Sequence, residues 1–312
     1  METNHSLAVF RIRTTRAAIA DGYRLFTNVF RRLFRATWPV ATVYALAMAL
    51  LSSYAIDKLI PLIGASQILD PEAAHAELTG RLTTFALLAL LFVVCTMLLA
   101  AGGVSALRQH LKSGDITRPA HWWGRIDRTA LKHVLVVGVC LVVITAVVTA
   151  VLSALFALAA KTGLVTAWVG SAVVSLGFAV LLIPLCYTVF RAVLADKPAL
   201  PFGGYLTGLG HLGMLFVTLL LTGIVTLLLT LVTQLPAVIL YAANIHSQMG
   251  MLGGDEAGMP ANMSWLNFLV FAIAGFIQAY VLLSTLFPFY FVYGSVTQQE
   301  KERREARLAQ QG

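Results

Sequence analysis

The chain has 312 residues, 59% of them hydrophobic and only 12% charged, with 22 Lys and Arg against 14 Asp and Glu for a net charge of +8. A soluble domain is roughly 45–50% apolar, whereas mean hydropathy here is +0.83, so lipid must be the solvent for most of the chain. The basic excess of so apolar a chain points to anionic lipid headgroups as its partner and argues against nucleic acid.

Residues 1–35 form an Arg-rich lead. From Ile12 to Phe34 the residues Ile12, Ile19, Tyr23, Phe26, Phe30 and Leu33 recur at spacings of 7, 4, 3, 4 and 3, which sets them on one face of a helix. Arg13, Arg16, Arg24, Arg31 and Arg35 populate the rest of its surface. Such a helix is expected to lie in the membrane interface, rings at the acyl boundary and guanidinium groups among phosphates, each basic residue adding about 1 kcal/mol near an anionic leaflet. Arginine contacts phosphate through a planar fork where lysine offers a point charge. Arg24, Arg31, Arg32 and Arg35 are therefore the expected headgroup contacts.

A spanning helix needs about 20 apolar residues. Charge-free stretches over Ala36–Ile56, Leu82–Leu107, Val134–Ala160 and from Thr162 up to Arg191 supply four spans, and the segments between His211 and His246 and between Glu256 and Glu300 supply one each. The reading is an all-α polytopic membrane protein, with six transmembrane helices over residues 36–295 and a charged tail over 296–312. In that tail Glu300 and Arg304 stand at i, i+4, as on a solvated helix end.

Charge sets the orientation. With Met1 placed inside, 19 basic residues fall on the inner side and only Lys58, Arg81 and Lys161 on the outer, which by the positive-inside rule puts both termini on the cytoplasmic side of a bacterial inner membrane. Trp38, Trp122 and Trp123 fall at the inner boundaries and Trp168 and Trp265 at the outer ones, the depth that amphipathic rings prefer.

The same unit recurs three times, over roughly residues 23–112, 119–197 and 202–299: an interfacial stretch, a helix going out and a helix returning. The interfacial stretches start at Tyr23, His121 and Phe202. The returning ends MLLAAGGVSALR, LLIPLCYTVFR and TLFPFYFVYGS align so that Pro184 and Pro288 coincide, with Ala101, Gly102 and Gly103 at the equivalent place. Proline and glycine weaken a helix, so Pro184 and Pro288 are hinge candidates that would splay the cytoplasmic ends.

Ionisable groups inside a span are costly and mark coupled transport or catalysis; the six spans carry none. Gln234 and Gln278 are their most polar groups and are expected to bond between helices. Cys95, Cys140 and Cys186 each fall within a span, as small buried residues do. His110, His121 and His133 are spaced by 11 and 12 residues, which fits no compact ligand motif. The outer segment with His246, Met249, Met251, Met259 and Met263 offers thioethers of the kind that suit Cu(I), but reads more simply as a Gly-rich loop. No HExxH, GxSxG or GxxxxGK[ST] pattern occurs. Neither a catalytic residue nor a metal or other cofactor is expected.

The lead ending in RRLFRATWPV (Arg31 to Val40), the six helices and the PLCYTVF-like returning ends resemble a broad group of bacterial six-helix membrane proteins, and are similar to the membrane domain of some glycerophosphodiester phosphodiesterases. The resemblance covers nearly the whole chain. It carries no phosphodiesterase activity over, because the chain has no such domain. Membrane carotenoid oxygenases are a less apt comparison, since they need several His ligands for iron and His75 and His246 are the only outer histidines. The expected function is a non-enzymatic component that binds or organises lipid. The alternative is a transporter or channel for a neutral or lipidic substrate gated at Pro184 and Pro288; a metal-dependent intramembrane enzyme ranks below both.

Overall fold

In lipid every backbone N–H and C=O must find its partner within the spanning segment, which leaves helix as the form available to an apolar run. The computed structural model describes residues 9–59, 71–113, 128–162, 164–195, 202–252 and 263–311, and among them there are helices and no strand. In chain order they are α1 (Thr15–Tyr54), continued by a π-helical turn (Ala55–Leu59), α2 (Pro71–Ser113), α3 (Arg128–Thr162), α4 (Leu164–Ala195), α5 (Phe202–Gly210), α6 (Leu212–Leu252) and α7 (Met263–Ala309).

Five stretches of described residues are long and apolar enough to cross a membrane: Thr15–Lys58, Leu78–Lys112, Arg128–Ala154, Leu212–Ser247 and Met263–Ala309. The C-terminal part of α4 adds a shorter apolar helix over Leu182–Ala195. The protein is an all-α, multi-pass membrane protein. Its exposed surface agrees: along α6 the side chains of Leu227, Leu228, Leu231, Leu235 and Ile239 stand out from the fold and Val232 is 74% exposed. Leaving such side chains in water would forgo about 1.5–3 kcal/mol each, a penalty that acyl chains remove.

Helix runs on past both ends of the apolar region. The Arg-rich lead and the first span form the single helix α1, which runs through Pro39, and the charged tail continues α7 as helix to Ala309. Between residues 15 and 54 Gly22 and Pro39 are the only strong helix breakers, and a lone proline is tolerated where neighbouring groups satisfy the freed carbonyl. The second interfacial stretch from His121, with Trp122 and Trp123, and Met259 of the Gly-rich loop lie outside the described residues.

The chain folds as two compact units. One takes the chain up to Leu33, Gly103–Gly223 and the chain from Ser284 onward; the other takes Phe34–Gly102 and Ile224–Leu283. In the second unit Ala49 and Ile56 near the end of α1 pack with Ala237 of α6 and with Phe271 and Ala274 of α7. Small residues bring these helices close, as in other membrane bundles: a Cβ on Gly275 would stand 3.2 Å from the Ala45 Cα. Both expected polar contacts join α6 to α7, with Gln278 Nε2 donating to Thr230 Oγ1 at 3.1 Å and Gln234 Nε2 donating to the Ala274 carbonyl at 3.4 Å.

Candidate functional site

The first unit holds most of the chain's described charge, and the lead of α1 is its first element. Ala18, Leu25, Val29 and Leu33 are buried, as is Gly22, and their spacings of 4, 3, 4 and 4 make one helical face. Arg24, Arg31 and Arg35 fall on the far side and are exposed, as is Arg32 nearer the buried face. The aromatic stripe read from the sequence flanks the buried face instead of coinciding with it: Phe26 is half-buried against Phe287, ring centroids 5.2 Å apart, and Phe30 is 38% exposed.

Arg13 departs from the sequence reading, which set it among the surface arginines. Its side chain is only 4% exposed and its Nε meets Asp21 Oδ2 at 2.8 Å. Nη1 donates to the Val9 carbonyl at 3.1 Å, and the guanidinium lies 4.8 Å from the Phe291 ring centre. Its backbone N–H donates to Ser295 Oγ at 3.0 Å. The side chain is thus held inside the fold, and its backbone N–H and guanidinium pin the start of the chain to Ser295 and Phe291 of α7.

Both hinge candidates lie inside unbroken helices, Pro184 in α4 and Pro288 in α7, and each receives a glycine from another helix. A Cβ on Gly22 of α1 would stand 2.6 Å from both the Cα and the N of Pro288, and a Cβ on Gly208 of α5 would stand 2.7 Å from the Pro184 carbonyl oxygen. Real Cβ atoms do not approach so closely, so only glycine allows these two contacts. Sequence reasoning singled out the prolines and missed both glycines, because nothing local marks which glycine meets which helix.

A cleft opens where the last turns of α4 meet α5 and the C-terminal half of α7. It has a volume of about 340 Å³ and is lined by Tyr187, Arg191 and Ala195 of α4, Thr207 of α5, and Tyr293, Thr297, Glu300, Lys301, Arg304, Glu305 and Leu308 of α7. The α4 residues recur every fourth position and the α7 residues every third or fourth, which is one face of each helix. Tyr187 and Tyr293 form an aromatic wall with ring centroids 5.6 Å apart, and the Tyr187 hydroxyl reaches Thr297 Oγ1 at 3.4 Å. Gly204 of α5 leaves room for Arg191: a Cβ there would stand 2.9 Å from its Nη1.

The acidic residues of the cleft are partly neutralised. Glu300 accepts from Arg303 Nη1 at 3.3 Å and faces His211 Nε2 at 3.8 Å, while Glu305 stands 3.9 Å from Lys301 Nζ. Nearby, Arg108 of α2 donates from Nη1 to the Val193 carbonyl at 3.1 Å, satisfying one of the acceptors that a helix leaves unpaired in its last turn. His110 Nδ1 and the Tyr290 hydroxyl are 3.2 Å apart, and His133 Nδ1 lies 2.8 Å from the Thr129 carbonyl. His110 and His133 therefore each have a local partner. Among the described residues no three His, Cys, Asp or Glu side chains gather as a metal site, and Cys95, Cys140 and Cys186 are free thiols.

No protein-family model matches the chain, and no curated protein and no solved structure is significantly similar to it.

Proposed function

We propose that this protein is a non-enzymatic component of a bacterial inner membrane that binds and organises anionic phospholipid, with both termini and the arginine face of α1 on the cytoplasmic side. The observation that carries the reading is the sorting of the α1 surface. Its small and aliphatic residues are buried in the first unit while Arg24, Arg31, Arg32 and Arg35 are left exposed, which is the arrangement that headgroup phosphates can reach.

Six spans in three pseudo-repeats belong to the same proposal. What supports it is that the two prolines that align in sequence each seat a glycine at or beside an interfacial stretch: Pro288 takes Gly22, the residue just before the first stretch, and Pro184 takes Gly208 of the third. A hinge at either proline would have to open that contact, so the prolines act first as packing seats.

Four basic residues at about 1 kcal/mol each amount to about 4 kcal/mol of attraction to an anionic leaflet. Replacing Arg24, Arg31, Arg32 and Arg35 together with Gln is therefore expected to strip most of the anionic phospholipid that copurifies with the protein, read by mass spectrometry of the detergent extract. An unchanged lipid complement in a folded variant refutes the reading. Accessibility labelling of cysteines introduced at Arg31 and Arg303 tests the topology, which requires both on the same side.

A further inference from the structure

We propose that the cleft between α4, α5 and α7 is a binding site for a phosphate group carried on a small polar head, with Arg191 and Arg304 as its principal ligands. The juxtaposition is two guanidinium groups from different helices, the Lys301 ammonium and the hydroxyls of Tyr187, Tyr293 and Thr297 around one cavity of about 340 Å³. That volume lies in the usual range of roughly 300–1,000 Å³ for small-ligand pockets and holds a headgroup rather than a whole lipid.

Charge and depth narrow the ligand. Of the two carboxylates, Glu300 is paired with Arg303 and Glu305 with Lys301. Among the described residues Arg191 and Arg304 make no ion pair with either, so the two forks are the charges left for an incoming anion. Guanidinium forks bind phosphate in a bidentate manner that an ammonium cannot reproduce. The cleft also straddles a polarity step: α7 carries no charge from Met263 to Gln299, then five charges from Glu300 to Arg304, and Arg191 is the first charge reached along α4. Tyrosines line the apolar side of this step and cations the polar side, as at headgroup depth.

Gly204 makes the site testable without removing a charge. A methyl group there meets the Arg191 guanidinium, the free end of a flexible side chain, so Gly204→Ala displaces the fork and leaves the backbone packing in place. Its control is Gly213→Ala on α6, where a Cβ would meet nothing within 4 Å.

The phosphate could come from a phospholipid headgroup or from a soluble phosphoester. The lipid source rests on the lipid-binding function proposed above, although the residues are different ones. The full-length protein in neutral detergent is titrated with short-chain phosphatidylglycerol and, separately, with glycerol 3-phosphate, binding being read by native mass spectrometry and calorimetry. Saturable binding at one site is expected, weakened at least tenfold in Arg191→Gln/Arg304→Gln, since a hydrogen bond to a charged group is worth about 1.5–3 kcal/mol and 1.4 kcal/mol is tenfold. Arg191→Lys/Arg304→Lys, which keeps the charge and most of the packing, is expected to weaken it as well. So is Gly204→Ala, while Gly213→Ala does not.

Binding of the lipid probe in preference to glycerol 3-phosphate identifies a headgroup site, and equal binding of both identifies a soluble phosphoester site; either supports the proposal. The variant lacking Arg24, Arg31, Arg32 and Arg35 should retain this saturable binding, so a failure of the α1 reading leaves the cleft standing. No saturable binding of either probe, or wild-type affinity in both arginine double variants, overturns it.

Discussion

Gly22→Ala puts one methyl group into a close helix contact of the first unit. The new Cβ would lie 2.6 Å from the Pro288 Cα and N and 2.9 Å from the Phe287 carbonyl carbon. All three are backbone atoms, so no rotamer change relieves the clash. The helices must part by about 0.8 Å to restore an ordinary contact of 3.4 Å. A gap of that order forfeits about a quarter to a half of the dispersion energy at neighbouring contacts, here the edge-to-face pair of Phe26 and Phe287. Overpacking of this kind costs typically about 1–3 kcal/mol, while alanine in place of glycine returns up to about 1 kcal/mol of helix propensity. The net expectation is a loss of about 1 kcal/mol. Unfolding in mixed micelles at increasing denaturing detergent, followed by tryptophan fluorescence, measures it. Gly223→Ala, where a Cβ would meet nothing within 4 Å, isolates the propensity gain and should not destabilise. If Gly22→Ala is as stable as Gly223→Ala, α1 does not pack on Pro288 as described and the reasoning fails.

Two further substitutions probe the polar interior by the same assay. Asp21→Asn removes the charge that holds Arg13; breaking a fully buried pair costs roughly 3–5 kcal/mol, and because Asp21 is 26% exposed a loss of about 2 kcal/mol is expected, with proteolysis near Arg11 becoming faster as the start of the chain detaches. Asn267 is 1% exposed and neither of its side-chain polar atoms has a hydrogen-bond partner among the described residues. Asn267→Leu removes that unmet demand, which is worth about 1–3 kcal/mol per group, so stability should hold or rise; a fall of more than about 1 kcal/mol would contradict the description of this site.

The separation between what was legible and what was not follows helix faces. That Gln234 and Gln278 would each bond to a neighbouring helix was readable, because a lone amide in an apolar run has few partners except another helix. The exposure of Arg24, Arg31, Arg32 and Arg35 was readable for a similar reason, since four closely spaced guanidinium groups cannot all be buried without counter-ions. Arg13 looked like one of them. What distinguishes it is Asp21, Ser295 and Phe291, and Ser295 lies 282 residues further along the chain. The cleft was illegible too: the i, i+4 sets containing Tyr187 and Arg191, and Tyr293 and Thr297, are visible singly, but each alone reads as an ordinary helix end.

The amino-acid order alone determined that the chain is helical and multi-pass, because bilayer thickness and the need to satisfy backbone groups act on each apolar run separately, without reference to its neighbours. Only the tertiary structure decided which glycine meets which proline, which arginine is consumed internally and where two helix ends leave a charged cavity. Those outcomes depend on distances between residues remote in the chain, and a run of hydrophobic residues specifies its own length and depth but not the partner its face will meet.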